Sequence, residues 1–222
     1  MLFMPGPGKG SRRLSFYNFG LDHKHQHMLS CGLIILAAGA SRRLQQAKQW
    51  LPYQGTTLLQ HSIQIALSAP VHPVVVVSAP GAEVGVAEDE RLHWAFNHNR
   101  EEGLASSIHC GLAHLLNREP GIEGAILMVC DQPFVTTGLL NSLLTACEQE
   151  NSMIAACSYK NTIGTPVLFK KSFFPRLTAL KGDEGAKRII QQHMDQVAVV
   201  PFPKGEIDID TMEDYERLLQ CT

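Results

Sequence analysis

Charge of either sign is sparse and nearly balanced in this chain, with 19 lysines and arginines against 21 aspartates and glutamates and a net charge of −2. Proteins that wrap nucleic acid through general electrostatics carry a basic excess or stripe, so that class is disfavoured and any phosphate must be held by a few local cations. No run approaches the roughly 20 apolar residues that a membrane-crossing helix requires. Six cysteines (Cys31, Cys110, Cys130, Cys147, Cys157 and Cys221) form neither a C-x-x-C pair nor a recognisable zinc spacing. Cys31, Cys130 and Cys157 lie in apolar strand-like runs, where a reduced cysteine acts as a small hydrophobe, so a cytoplasmic location is expected. The common phosphate loops are missing too: there is no G-x-G-x-x-G after the first strand and no G-x-x-x-x-G-K-[ST].

What is present is enough for one sizeable core: 222 residues, 45% of them hydrophobic. The first 27 residues carry Lys9, Arg12, Arg13 and the alternating His23, His25 and His27, and precede the apolar run Leu33 to Ala38 much as a secretory signal would. That run is short and leads directly into a candidate ligand loop, so cleavage there would destroy the loop. The expected division is a flexible N-terminal tail over residues 1–28, with Met28 as an alternative start, and a single folded domain over 29–222. The three histidines read as adventitious in a polar tail.

Strand-like and helix-like segments alternate. Leu33 to Ile35 and Val74 to Val77 are apolar runs of the kind found in strands covered on both faces, and Thr57 to Ala69 between them is amphipathic. Strand, helix, strand in this order implies a parallel crossover. Further strands are expected near Trp94 to Asn97, Ala125 to Cys130, Met153 to Ala156, Pro166 to Phe169 and Val197 to Val200. Helices are expected over Gly103 to Leu116, Thr137 to Glu148, Ser172 to Leu180, Glu184 to His193 and Thr211 to Leu219, the last capped by Thr211 paired with Asp214. Such alternation specifies an α/β sheet with helices on both faces, which binds ligands beyond the carboxyl ends of its strands. Gly39 and Asp131 each follow a strand and so fall on that edge.

The segment from Leu36 to Lys48, LAAGASRRLQQAK, carries the strongest signal. Ala37, Ala38 and Gly39 let the backbone approach a ligand, and successive N–H groups in such a turn form a concavity suited to phosphate. Arg42, Arg43 and Lys48 add a planar fork and a point charge, the equipment expected for a polyphosphate. Read more plainly, the same residues are a strand end followed by a solvated cationic helix face.

The pattern Leu36-Ala37-Ala38-Gly39-x-Ser41-x-Arg43-Leu44-x-x-x-Lys48 resembles the signature of the nucleotidyltransferases that activate the molybdenum cofactor, the MobA-like NTP transferases. Gln45 stands where that family usually places glycine; if a positive φ is needed there, it costs roughly 1 kcal/mol. The likeness runs in order along Gly32 to Leu219: Asn97 with Glu102-Gly103-Leu104-Ala105-Ser106-Ser107 near base and ribose, Asp131-Gln132-Pro133 as the metal aspartate, Gly164-Thr165-Pro166-Val167 similar to G-H-P-V of the cytidylyltransferase branch, Gly182-Asp183-Glu184-Gly185-Ala186-Lys187 similar to G-D-x-G-A-R beside the acceptor, and Ile207-Asp208-Ile209-Asp210-Thr211 similar to D-I-D-T-P-E-D.

The resemblance implies a Rossmann-like, mostly parallel mixed sheet of the nucleotide-diphospho-sugar transferase type. It also implies transfer of CMP from CTP to the terminal phosphate of molybdenum-loaded molybdopterin, with pyrophosphate leaving. Arg43, Lys48, Asp131 and Asp210 would carry the reaction. Leu36, Ala37, Ala38, Gly39, Ser41, Asn97, Gly103 and Ser107 would hold the nucleotide, and Gly164, Thr165, Pro166, Asp183 and Lys187 the acceptor. An aspartate at a phosphate edge needs a cation between them, and Mg²⁺ on Asp131 and Asp210 is the usual solution. Alternation puts Asp208 and Asp210 on one side of an extended segment, so spacing alone does not rank them; the resemblance favours Asp210. L-A-A-G goes with cytidine and L-A-G-G with guanosine nucleotides in this family. A client molybdoenzyme is a further expected partner. Two other readings fit the departures at Gln45, Thr165 and Lys187: a transferase for another phosphorylated metabolite, and a non-catalytic nucleotide- or cofactor-binding chaperone. A redox enzyme on the same scaffold is conceivable, though no flavin or nicotinamide fingerprint occurs.

Overall fold

In the computed structural model, residues 29–39, 44, 47–81 and 89–220 are described; Ser41, Arg42, Arg43, Gln45, Cys221 and the expected tail lie outside them. The strands in chain order are β1 (Cys31–Leu36), β2 (Pro52–Tyr53), β3 (Thr56–Thr57), β4 (Val74–Ser78), β5 (Leu92–Phe96), β6 (Gly124–Val129), β7 (Ile154–Tyr159), β8 (Thr162–Lys170) and β9 (Val197–Pro201). The helices are α1 (Leu58–Leu67), α2 (Leu104–Arg118), α3 (Thr137–Gln149), α4 (Phe174–Thr178), α5 (Ala186–Gln192) and α6 (Met212–Gln220). Seven strands form one sheet in the order β5-β4-β1-β6-β8-β7-β9, and β2 and β3 form a separate hairpin. Within the seven-stranded sheet, β8 runs against its neighbours β6 and β7 and the remaining described pairs are parallel. This is the single-domain, mostly parallel α/β sheet expected from the sequence.

Side chains alternate across each strand, so the sheet divides the core in two. Leu33 and Ile35 of β1 join Leu59 and Ile63 of α1 and Leu140 and Leu143 of α3 on one face. Ile34 joins Ile108, Leu112 and Leu115 of α2, Leu177 of α4 and Ile189 and Ile190 of α5 on the other. A smaller cluster of Leu44, Leu51, Tyr53, Leu58, Ile209 and Leu218 ties the β2–β3 hairpin to α6. Among the described residues, no helix is long and apolar enough to cross a membrane.

Turn chemistry explains where the structure departs from expectation. Lys160 and Asn161, at φ 43° and 59°, form the tight turn that reverses the chain from β7 into β8. Both strands therefore extend to that turn, well past the expected Met153 to Ala156 and Pro166 to Phe169. The helix expected over Ser172 to Leu180 is a 3-10 turn at Lys171–Phe173 followed by the short α4, because Pro175 has no N–H with which to continue a helix back through residue 171. The hairpin turn at Gln54 and Gly55, with φ of 48° and 79°, closes the two-residue strands β2 and β3, too short to leave an alternating pattern in the sequence. The Thr211–Asp214 pair forms as expected: the Asp214 N–H donates to Thr211 Oγ1 at 3.2 Å, and the Thr211 N–H to Asp214 Oδ2 at 2.9 Å.

The helix α2 lies close on the sheet because Gly111 has no side chain; a Cβ there would meet Ile34 Cγ2 at 2.5 Å and Val77 Cγ2 at 2.8 Å. Both atoms belong to stiff β-branched residues. Gly111→Ala is expected to destabilise the protein by about 1–3 kcal/mol through overpacking, read as a lower urea midpoint with an unchanged slope.

Candidate active site

β1 lies between β4 and β6, so the chain fills one side of the sheet and then crosses to the other. The switch point falls between β1 and β6, whose last residues Leu36 and Val129 are paired. The chain segments after them, Ala37 to Gly39 and Cys130 to Asp131, therefore emerge side by side. Lys48 begins a 3-10 helix at Lys48–Trp50 beyond the loop, and its ammonium donates to Asp131 Oδ2 and, at 3.3 Å, to Asp210 Oδ1. Asp210 is carried in by the segment before α6, which is pinned by the buried Ile209 and by the Ile209 N–H donating to the Asp131 carbonyl at 3.0 Å. Asp208, on the same side of that segment, feels both other carboxylates.

The electrostatics follow from this placement. Burial by itself would lower the Lys48 pKa, but Asp131, with a further contribution from Asp210, raises it above the ordinary lysine value. Burial, then the neighbouring Asp210 and Asp131 charges, raise Asp208 above the usual carboxylate range. The Cys130 thiol beside Asp131 is pushed up to about 12, first by burial and then by the aspartate, so it is protonated and inert as a nucleophile at neutral pH. Asp131 Oδ1 is buried and has no hydrogen-bond partner among the described residues. No group of three or more His, Cys, Asp and Glu side chains among the described residues could hold a metal by itself. A pair of carboxylates already drawn around one cation, with a buried oxygen to spare, does suit Mg²⁺, which keeps waters and takes substrate phosphate oxygens as its other ligands.

A cavity of about 450 Å³ opens beside this cluster. It brings together Leu36, Ala37, Ala38, Gly39, Lys48, Gly103, Ser107 and Asp131 from the expected nucleotide and catalytic sets, and Asp183 from the expected acceptor set. Asn97 lies behind the wall, 3% exposed, and orders it: its Nδ2 donates to Ser106 Oγ at 2.9 Å and Ser107 Oγ at 3.0 Å, while its Oδ1 accepts from the Asn99 N–H at 2.9 Å. Gly164, Thr165, Pro166 and Lys187 are absent from the cavity lining. Thr165 instead lies by the Tyr159 hydroxyl, and Lys187 is exposed on α5. Gln49, Arg100 and Glu101 also line the cavity and were missed from the sequence; Leu104, from the expected Glu102 to Ser107 segment, lines it too, and Asp208 lies close enough to Asp210 and Asp131 to feel their charge. Gln49 could have been suspected from its place beside Lys48; Arg100 and Glu101 sit in a charged stretch that reads as solvated surface.

The chain belongs to the MobA-like NTP transferase domain family, which it matches over residues 33–197. Its chemistry is that of a nucleotidyltransferase. It is 30% identical to the purine catabolism protein PucB of Bacillus subtilis over 83% of this chain and 94% of that protein. It is 28% identical to nicotine blue oxidoreductase of Paenarthrobacter nicotinovorans (84% and 95% covered), and 23% identical to a probable molybdenum cofactor guanylyltransferase of Bacillus cytotoxicus (87% and 98% covered). Among solved structures, Rv0371c of Mycobacterium tuberculosis H37Rv superposes with a TM-score of 0.73 at 28% identity, covering 87% of this chain and 99% of that one. A complex of Rv0371c with manganese superposes with a TM-score of 0.68 at 25% identity, covering 87% and 100%.

One backbone position holds the two sides of the cavity together. Gly103 has φ 99°, and a Cβ on it would stand 2.4 Å from the Gly182 carbonyl carbon and 2.6 Å from Asp183 Oδ1. The Ala105 N–H donates to the Gly182 carbonyl at 3.0 Å, locking the start of α2 to the loop that carries Asp183. Gly103→Ala is expected to cost at least about 2 kcal/mol from strain and backbone collision, measured by urea unfolding.

Proposed function

We propose that this protein transfers CMP from CTP to the terminal phosphate of molybdenum-loaded molybdopterin and releases pyrophosphate. The observation that supports the reading most directly is the convergence of Lys48, Asp131 and Asp210 at the cavity formed by Ala37, Ala38 and Gly39. A phosphate monoester, with its second pKa near 6, is already largely ionised at neutral pH, so no strong general base is required. The reaction needs alignment and neutralised charge.

In this reading the backbone of Ala38 and Gly39 lies under the triphosphate, and Lys48 together with Arg43 takes the departing phosphates. Asn97, through Ser106 and Ser107, shapes the wall for base and ribose. Asp183 meets the acceptor where it borders the nucleotide, and Gly164, Thr165, Pro166 and Lys187 form the acceptor's outer contacts. Asp131 and Asp210 hold one Mg²⁺, which when bound neutralises charge on the phosphate oxygens. The Ala38 methyl group lines this cavity, and this reading sets it against the larger purine base, which favours CTP over GTP.

A second reading draws on the likeness to nicotine blue oxidoreductase: the same cavity serving a redox reaction. One assay separates the two. Purified protein with Mg²⁺ and molybdenum-loaded molybdopterin is expected to release pyrophosphate with CTP and not with GTP or ATP. Ala38→Gly should raise turnover with GTP relative to CTP, while Asp131→Asn should lower turnover by about 100-fold or more with thermal stability retained. No pyrophosphate with any nucleotide, from folded protein and competent cofactor, would overturn molybdopterin as the acceptor and turn attention to another phosphorylated acceptor, or to a carrier or redox role.

A further inference from the structure

The Lys48 ammonium stands between Asp131 Oδ2 and Asp210 Oδ1, the place a cation bridging the two carboxylates would take. The Asp131 side chain is only 15% exposed and that of Asp210 31%, with Asp208 adding a third negative charge nearby. Carboxylates gathered in this way repel one another, so the cluster needs a positive charge before any ligand arrives. Lys48 supplies it incompletely, since Asp131 Oδ1 is buried with no hydrogen-bond partner among the described residues. The same lysine also lines the cavity beside Gly39, where a triphosphate would need its charge. A single ammonium on a flexible four-carbon stem can serve either place in turn, but not both at once.

We propose that Lys48 is an internal counter-ion which exchanges with the divalent cation: it holds Asp131 and Asp210 together in the ligand-free protein and moves to the phosphates when nucleotide and metal bind. This rests on the transferase reading of the three residues and adds a linkage between metal and phosphate affinity. Each ligand releases Lys48 from competing with the other, so the two bind cooperatively. A lysine that served only the phosphates would leave the affinity for metal alone untouched.

The test is a Mn²⁺ titration of the full chain without nucleotide, followed by electron paramagnetic resonance and thermal unfolding. Lys48→Met is expected to bind Mn²⁺ about tenfold or more tightly than the wild type. Its melting temperature without metal should fall below that of the wild type, and Mn²⁺ should restore it. Lys48→Arg, which keeps the charge and can fork onto both carboxylates, is expected to bind Mn²⁺ no better than the wild type and so keeps the test open if Lys48→Met folds poorly. Arg100→Gln removes a cation from the lip of the same cavity and should leave Mn²⁺ affinity unchanged, which separates occupancy from general electrostatics. Unchanged or weaker Mn²⁺ binding by folded Lys48→Met, with binding abolished by Asp131→Asn, would overturn the exchange while leaving the metal assignment standing. Mn²⁺ binding that survives Asp131→Asn would overturn both.

Discussion

β1 and β6 are hydrogen-bonded in parallel from Cys31 opposite Gly124 to Leu36 opposite Val129, and this pairing fixes where the chemistry can occur. Both strands are buried on both faces, so neither can slip by one residue without exchanging its two sets of apolar side chains. Their ends therefore fall at the same height, and the loop after Leu36 and the aspartate after Cys130 meet regardless of what either binds. The third participant arrives by a different route: α6 packs Leu218 into the small core with Leu44, Leu51 and Leu58, and the segment before it passes across Asp131. The site is thus assembled from three distant parts of the chain, each held by its own apolar anchor.

That assembly concentrates negative charge. Asp131, Asp208 and Asp210 approach one another in a half-buried setting, and an arrangement of this kind is stable only with a cation at its centre. Lys48 is long enough to reach that centre from a neighbouring 3-10 turn. The local strain in the cavity lies on the opposite wall, where Gly103 accepts a left-handed backbone so that α2 can begin directly against the Gly182 carbonyl. Rigid walls and a movable central charge are a sensible division of labour for phosphoryl chemistry, in which positioning matters more than covalent participation.

How much of this was legible in the sequence depended on the range of the interaction. The strand runs, the aspartate after β6 and the Thr211–Asp214 cap are local patterns, and each lies where the residues indicated. The order of strands and the reversal of β8 rest on a turn at Lys160 and Asn161 that carries no glycine and so gave a weak signal. Arg100 and Glu101 read as ordinary surface, because only the tertiary fold turns their short 3-10 segment toward the cavity. Asp183 was expected with the acceptor residues; its position against Gly103 places it at the border with the nucleotide cavity, a relation that no spacing along the chain encodes. Motif likeness singled out individual residues more readily than it indicated which of them share a wall.

Substrate choice sits below even that level. A methyl group in a close-packed wall is worth only about 1–3 kcal/mol of discrimination. Ala38 is 4% exposed and belongs to the same core cluster as Ile34, Ala105 and Leu127, so its methyl cannot swing aside to admit a larger base. A side chain fixed in this way can select only by exclusion, whereas the hydroxyls of Ser106 and Ser107, ordered by Asn97, can turn their hydrogens toward different partners. In the proposed reading, the fixed wall at Ala38 would limit the size of the base, and the hydrogen-bonded side would tolerate variation in what is attached to it.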